Sequence, residues 1–232
     1  VAPGTLERLA EADAFAGMGL TRRDALWQVR AIRGTAPLPL FDDPIDGEGI
    51  REPAMPLPQM HLGEEVVEDY VATRLTLRAH PMELLRPMMP GLARHADLVE
   101  MPLGRVTVCG LVITRQRPGT ASGVVFLTLE DETGVSNIVV WRKVFEHYRR
   151  SVMGGRLLRI TGTLQREGIV THLIARHIED VSSRLGDLGH PLDSAIGLTS
   201  AKTDSAPRSL PTPRAMHPRD QAKKLFPSRD FH

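Results

Sequence analysis

The stretch Phe126 to Trp141, FLTLEDETGVSNIVVW, reads as two apolar strands on either side of an acidic turn that ends in glycine. Its β-branched and aromatic residues alternate with polar ones over the length of short strands. Clustered carboxylates such as Glu130, Asp131 and Glu132 are one way to hold a pair of magnesium ions for phosphoryl transfer. Here they run directly into Thr133 and Gly134, where acids suit a hairpin turn and glycine supplies a positive φ. The turn reading therefore prevails over the catalytic one.

Working outward, Val106–Thr114 precedes the hairpin as another β-rich run, and Leu157–Leu164 and Ile169–Ile178 follow it. Between the third and fourth of these lies RKVFEHYRRSVMGG, whose Val144, Tyr148 and Val152 recur every four residues, the period of a helix. Five short strands with a helix after the third predict a closed five-stranded OB-fold barrel over residues 104–181, the helix plugging one end. Closure also disposes of the edges that such strands would otherwise expose. Cys109, the single cysteine, sits inside VTVCGLVIT as a small buried hydrophobe; it has no partner for an internal disulfide and fits a reducing compartment.

The flanks read differently. Residues 1–33 contain apolar positions Leu6, Leu9, Ala10 and Ala14, then Leu26, Val29 and Ile32, which predicts a helical hairpin broken at AGMGL. Thr21 is placed to N-cap the second helix, with Asp24 in the position of a capping-box acid. Such a hairpin can present turn amides to a DNA phosphate, but packing is its commoner role. It is too short to hold a core alone, so its partner is expected upstream of Val1.

Residues 34 to 69 carry nine acidic residues against the single Arg51, with repeated prolines, and 34–63 is expected to be an acidic linker. Residues 64–103 read as a connector: a helix from Glu64, an extended LTLRAHP, and a short helix from Pro81, with His80 a turn residue. Residues 182–232, rich in Ser, Thr, Pro and scattered basic residues, are expected to be a mostly disordered tail.

The net charge of +1 conceals a segregation. Lys and Arg number 10 against 16 acids over residues 1–101, 11 against 7 over 105–180, and 7 against 3 over 202–232. A basic globular unit beside an acidic linker is compatible with phosphate contact. No apolar run approaches the roughly 20 residues needed to span a bilayer, so no membrane association and a cytoplasmic location are expected.

Catalytic constellations are lacking. There is no CxxC, no phosphate-binding glycine loop and no locally supported Ser/His/Asp arrangement, and His172 and His177 stand an odd number of residues apart, which places them on opposite faces of one strand. No metal site and no cofactor are expected in this segment. Binding has better support. OB barrels present the face of strands two and three to single-stranded nucleic acid, stacking bases on aromatics while basic groups follow the backbone. Phe126, Asn137 and Trp141 on those strands, and Arg115 and Arg117 in the first loop, are the candidate nucleic-acid-binding residues. Strand parity leaves Phe126 and Trp141 open between exposed and core, since a single bulge reverses the face.

VVFLTLEDETGVSNIVVW, preceded by GLVITRQRPGTASG, resembles the OB domain of bacterial C-family DNA polymerases, and the wording is closest to their error-prone, damage-inducible paralogue. LERLAEADAFAGMGLTRRDALWQVRAI is similar to the end of that family's helix-hairpin-helix region, LTLRAHPMELLR to its segment before the OB domain, and SRDFH to its close. The hairpin also resembles the anticodon-binding OB domain of aspartyl-type tRNA synthetases, where Phe126 takes the place of a base-stacking phenylalanine and Asn137 that of a base reader. The first resemblance implies damage-induced mutagenesis and translesion DNA synthesis, with Mg2+ held by palm-domain aspartates that would lie before Val1. Val1 itself suggests a fragment of something longer.

By that resemblance this segment is a non-catalytic, template-binding accessory region of a DNA-directed DNA polymerase. PLPLF, with Leu38, Leu40 and Phe41, falls where replicative members carry a sliding-clamp peptide. Pro37 stands where glutamine would be expected, which implies weak or indirect clamp contact and recruitment through mutagenesis-complex proteins. A protein-docking module for those partners is the alternative to DNA binding.

Overall fold

In the computed structural model, residues 1–32, 57–119, 123–168, 170–189 and 229–231 are described. Leu38, Leu40 and Phe41 lie outside the described residues, as do most of the expected linker and residues 190–228 of the expected tail. The chain divides into two compact units, Val1–Met60 with Val71–Thr73, and His61–Tyr70 with Arg74–His232.

In the first unit, α1 (Pro3–Glu11) and α2 (Arg22–Ile32) form the expected hairpin around a 3-10 turn at Ala16–Met18. Gly19 ends that turn at φ 77°, a left-handed conformation that costs glycine nothing. The Thr21 hydroxyl accepts the Asp24 amide at 3.2 Å, capping the helix start, and donates to the Asp24 carboxylate at 2.6 Å. The core of this unit is small: Ala10, Ala25 and Val29, with Leu6, Phe15, Leu20 and Leu26 against them.

The second unit contains the barrel. Its strands are β1 (Arg105–Gln116), β2 (Val125–Asp131), β3 (Gly134–Val140), β4 (Leu157–Glu167) and β5 (Val170–Asp180). They run β2-β3-β5-β4-β1, and an additional β1–β2 pairing closes the ring. All ladders within the ring are antiparallel except β3–β5, which is parallel. Val106, Val108, Val112, Leu127, Ile138, Ile160, Leu164 and Leu173 fill the interior. Long β1 serves two partners by coiling: Arg105–Leu111 pairs with β4 and Leu111–Gln116 with β2. Gly110 permits this, since a Cβ there would meet the Glu130 carbonyl oxygen at 2.6 Å.

Between β3 and β4 the single helix expected is two, α5 (Arg142–His147) and α6 (Arg149–Gly154), separated at Tyr148. Phe145 and Val152 are the buried plugs they insert.

The connector packs on the outside of β1. Val66 from α3 (Leu62–Ala72) and Met82, Leu84 and Leu85 from α4 (Pro81–Leu85) cluster with Cys109, Leu111 and Leu157. His80 is a turn residue as expected, its Nδ1 accepting the Met82 amide at the start of α4.

Two features depart from the expected tail. Ser182–Gly189 is a 3-10 turn whose Leu185 and Leu188 join that second cluster, so the packed chain continues past residue 181. Arg229–Phe231 forms a short strand, β6, parallel to Thr114–Gln116 of β1. It covers the edge of β1 that β4, ending its ladder at Leu111, leaves unpaired.

Candidate nucleic-acid interface

On β2 the inward residues are Val125, Leu127 and Leu129, so Phe126, Thr128 and Glu130 point outward; on β3, Ser136, Ile138 and Val140 are buried and Val135, Asn137 and Val139 face out. The ladder pairs Phe126 with Val139 and Thr128 with Asn137. Beyond β3, Asn137 lies beside His172 of β5. The extended backbone of Trp141 (φ −64°, ψ 151°) continues the β3 alternation by two residues from Val139, to the same side. Phe126 is 39% exposed and Trp141 55%, which resolves the open choice in favour of solvent. Two rings and a carboxamide thus share one outer surface. Exposed aromatics of this kind supply stacking platforms, and an Asn side chain offers both donor and acceptor to a base edge.

The two arginines expected in the first loop part company, Arg115 lying within β1 and Arg117 just past it. Arg115 does not reach solvent: it is 5% exposed, its Nε donates to the Val152 carbonyl at 2.6 Å, and its guanidinium also donates to the Gly155 carbonyl. It caps the C-terminal end of α6, and the expectation that it binds nucleic acid is corrected. The cause is a bulge between Val112 and Thr114 of β1, which turns Arg115 inward opposite Leu127. Arg117, just past β1, is exposed and stands 5.2 Å from the centroid of the Phe145 ring. That cation–π contact ties the first loop to α5.

Arg142, at the start of α5, is a functional candidate that sequence reasoning missed. A Cβ at Gly123 would meet Arg142 Cδ at 3.3 Å and an Arg117 guanidinium nitrogen at 3.8 Å, so the two arginines converge where the chain enters β2. Gly123 has φ 83°, which only glycine adopts without strain. The signal available was the position of Arg142 directly after Trp141.

The acidic turn is structural, and more so than a hairpin alone requires. Asp131 Oδ1 accepts the Thr133 amide and hydroxyl, both at 2.7 Å, and the Gly134 amide at 3.1 Å. Its Oδ2 accepts the His95 amide at 2.8 Å and Arg86 at 3.3 Å, while Arg86 grips Glu132 through both oxygens at 2.5 and 2.8 Å. Burial opposes ionisation of Asp131, but the hydrogen bonds from Thr133 and the His95 amide, with Arg86 close by, outweigh it and hold the carboxyl below its usual range. Glu132 behaves alike, burial being outweighed by Arg86. Glu130, which lacks such donors, is pushed up by burial and by the neighbouring Asp131 charge.

Among the described residues, no group of three or more His, Cys, Asp or Glu side chains is placed to hold a metal ion. Asp131 and Glu132, two of the three clustered acids, are committed to Arg86 and backbone amides and so do not fit a catalytic metal.

His172 and His177 are a further correction. A bulge at Arg176, between the pairs Thr161–His177 and Gly162–Ala175, shifts the phase of β5 and brings both to the outer face. His177 accepts or donates at Nδ1 with the Tyr148 hydroxyl at 2.8 Å, their rings edge to face.

Residues 106–181 match the family described as an OB-fold nucleic acid binding domain. The barrel is an OB-fold domain. Along its whole length the chain that carries this OB-fold is 76% identical to an error-prone DNA polymerase of Ruegeria pomeroyi, covering 21% of it. An error-prone DNA polymerase of Bradyrhizobium diazoefficiens is 45% identical over 240 residues, 97% of this chain and 20% of that protein. In sequence the chain therefore corresponds to one segment of the error-prone DNA polymerases, spanning about a fifth of these curated relatives. Among solved structures, asparaginyl-tRNA synthetase from Pyrococcus horikoshii is similar over 40% of this chain and 23% of its own, at 21% identity and a TM-score of 0.35. No helix among the described residues is long and apolar enough to cross a membrane.

Proposed function

We propose that this chain is a template-holding accessory segment of an error-prone DNA polymerase, whose OB-fold domain grips single-stranded DNA on the outer face of β2 and β3. The observation that carries this reading is the exposure of Phe126 and Trp141 on the side of the hairpin that also bears Asn137. Bases stack on the two rings, the Asn137 carboxamide meets a base edge, and Arg117 with Arg142 takes the phosphates at the entrance to β2. Catalysis of nucleotide transfer with Mg2+, translesion synthesis in damage-induced mutagenesis and a cytoplasmic setting belong to the whole enzyme on this reading. This segment contributes affinity and alignment of the template. Contact with the sliding clamp is weak or indirect, because Pro37 replaces the glutamine side chain that such a peptide uses.

The test is fluorescence anisotropy with a labelled single-stranded oligonucleotide across a salt series. Binding weakens steeply as salt rises, and Phe126→Ala loses about 1 to 3 kcal/mol if one base stacks there. Salt-independent binding, or a Phe126→Ala variant with wild-type affinity, refutes the reading. A protein-docking role draws on a different observation, the addition of β6 to the edge of β1, which is the geometry by which peptides extend sheets. Retention of a mutagenesis-complex partner by Phe126→Ala and its loss on deleting residues 202–232 would favour that role.

A further inference from the structure

The two ends of the β2–β3 ladder are built differently, and the difference gives the DNA path a direction. At one end, the outward series Phe126, Thr128, Glu130 finishes on a carboxylate. Glu130 lies half-buried against a cleft of about 510 Å3 that it lines with Tyr70, and its charge helps push the Tyr70 hydroxyl up to about 12, burial being the larger cause. The turn beyond is covered: a Cβ at Gly134 would meet His95 Cδ2 at 2.6 Å, and Arg86 is already spent on Asp131 and Glu132. A phosphate backbone arriving there meets Glu130 and a packed connector, whose Arg78 is paired with Glu65 and Asp69 and whose Arg94 is paired with Glu132. From Phe126 to Glu130 the face rises by four residue steps, roughly 13 Å, room for about four bases at the 3.4 Å spacing of a stacked strand.

Among the described residues, the other end is basic. Arg117 and Arg142 converge over Gly123, and α5–α6 from Arg142 to Gly154 carries Arg142, Lys143, Arg149 and Arg150 against Glu146 alone. Hydrogen bonds from the Tyr148 amide to Val144 and from the Val152 amide to Tyr148, at 2.9 and 3.0 Å, carry the helical pattern across the break. The phase is therefore kept, as the burial of both Phe145 and Val152, seven residues apart, attests. Arg142 and Arg149 have the same spacing, so they lie along one flank of the helix pair, and both are exposed, as is Lys143 next in sequence to Arg142. The Arg142–Glu146 pair at 2.9 Å is 70% and 59% exposed, an ion pair weak enough for a phosphate to compete with.

We infer that single-stranded DNA leaves the barrel face at this end only, its phosphates running from Arg117 and Arg142 along Lys143 and Arg149 on the α5–α6 ridge. This rests on the DNA-binding reading above and extends it from a face of a few bases to a longer, one-sided footprint.

The experiment compares oligothymidylates of about 5 and about 15 nucleotides, spanning the range of OB-fold site sizes. The whole chain is used as wild type, Phe126→Ala, and the triple variant Arg142→Ala/Lys143→Ala/Arg149→Ala. For the longer strand, the triple variant weakens binding on the order of tenfold at about 0.1 M salt and lowers the slope of log K against log salt by about 2, as three lost single-strand phosphate contacts require. For the short strand the triple variant departs from wild type by much less, losing only the Arg142 contact, while Phe126→Ala weakens both lengths. Glu146→Gln, which frees Arg142, strengthens binding of the longer strand. A triple variant indistinguishable from wild type on the longer strand, beside a weakened Phe126→Ala, overturns the ridge and leaves the face standing. Equal losses on both lengths also overturn it, because the added footprint would then be absent. Failure of the wild-type chain to bind either length overturns the DNA-binding reading, and the ridge with it.

Discussion

Replacing Arg86 by alanine removes the cation by which the connector grips both Asp131 and Glu132 of the β2–β3 turn. In the wild type, the Arg86, Asp131 and Glu132 side chains are 13%, 6% and 13% exposed, so the three charges are largely out of water. Removing one partner from a buried ion pair typically costs about 3 to 5 kcal/mol, since the remaining charge is left uncompensated. Asp131 keeps its bonds from Thr133, Gly134 and His95, whereas Glu132 loses both short contacts and keeps its own backbone amide and Arg94 at 3.5 Å. The lower end of that range, about 3 kcal/mol, is therefore expected at pH 7.

The pH dependence identifies the cause. Asp131 and Glu132 are both held below their usual range in the folded chain, so their contribution is present above the unfolded carboxylate pKa of about 4 and fades as pH falls through the folded values. The gap between wild type and Arg86→Ala should narrow on acidification from pH 5 toward pH 2.5. Urea unfolding followed by circular dichroism, repeated across that interval, measures it. A loss below about 1 kcal/mol at pH 7, or a gap that stays constant to pH 2.5, would refute the assignment of this clasp.

Arg115 and Arg117 give a paired test. Arg115→Ala, which strips two carbonyl acceptors of their buried donor, destabilises the barrel by about 2 to 4 kcal/mol, whereas Arg117→Ala leaves the melting temperature within a few degrees and weakens oligonucleotide binding. Thermal melts and anisotropy on the same preparations separate these effects, and the opposite pattern would reverse their roles. Cys109, buried at 2% exposure with its thiol pushed up to about 12 by burial, is expected to resist iodoacetamide in the native state and to react on unfolding in denaturant. Rapid native alkylation counts against the packing of the second cluster. Deleting residues 229–232 uncovers the Thr114–Gln116 edge, and faster amide exchange there than in Val106–Val108, which β4 still pairs, is the expected readout.

The barrel was legible because each strand signals itself locally. β-branched alternation, glycine-ended turns and a four-residue apolar period between the third and fourth strands are properties of short windows, and closure follows from their number and order. The acidic turn was legible for the same reason: Thr133 and Gly134 follow the carboxylates within three residues. The clasp by Arg86 was not, because it joins residues 45 and 46 apart, and the sequence between them carries no mark of it. Nor was β6, since a three-residue strand joining β1 from more than a hundred residues away leaves no periodic pattern of its own.

The site residues divide along a sharper line, which strand parity explains. Phe126 and Asn137 lie on an uninterrupted β2–β3 ladder, where alternation holds from end to end, and Trp141 follows its last pair in extended backbone; all three reach solvent. Arg115 and His177 each lie beyond a bulge, at Ile113 and at Arg176: Arg115, expected in the first loop, is turned inward within β1, and His177, expected opposite His172, shares its outer face. One extra residue in one strand moves every later side chain to the other surface at little cost in backbone hydrogen bonds. Ile113 and Arg176 are not glycines and carry no turn chemistry, so the bulges are products of how β1 and β5 coil around the closed ring. Near a barrel's corners the sequence therefore identifies which residues a strand contains more securely than which way they point. It is at such a corner that the inward turn of Arg115, capping α6, leaves Arg117 as the arginine of that loop exposed beside Arg142.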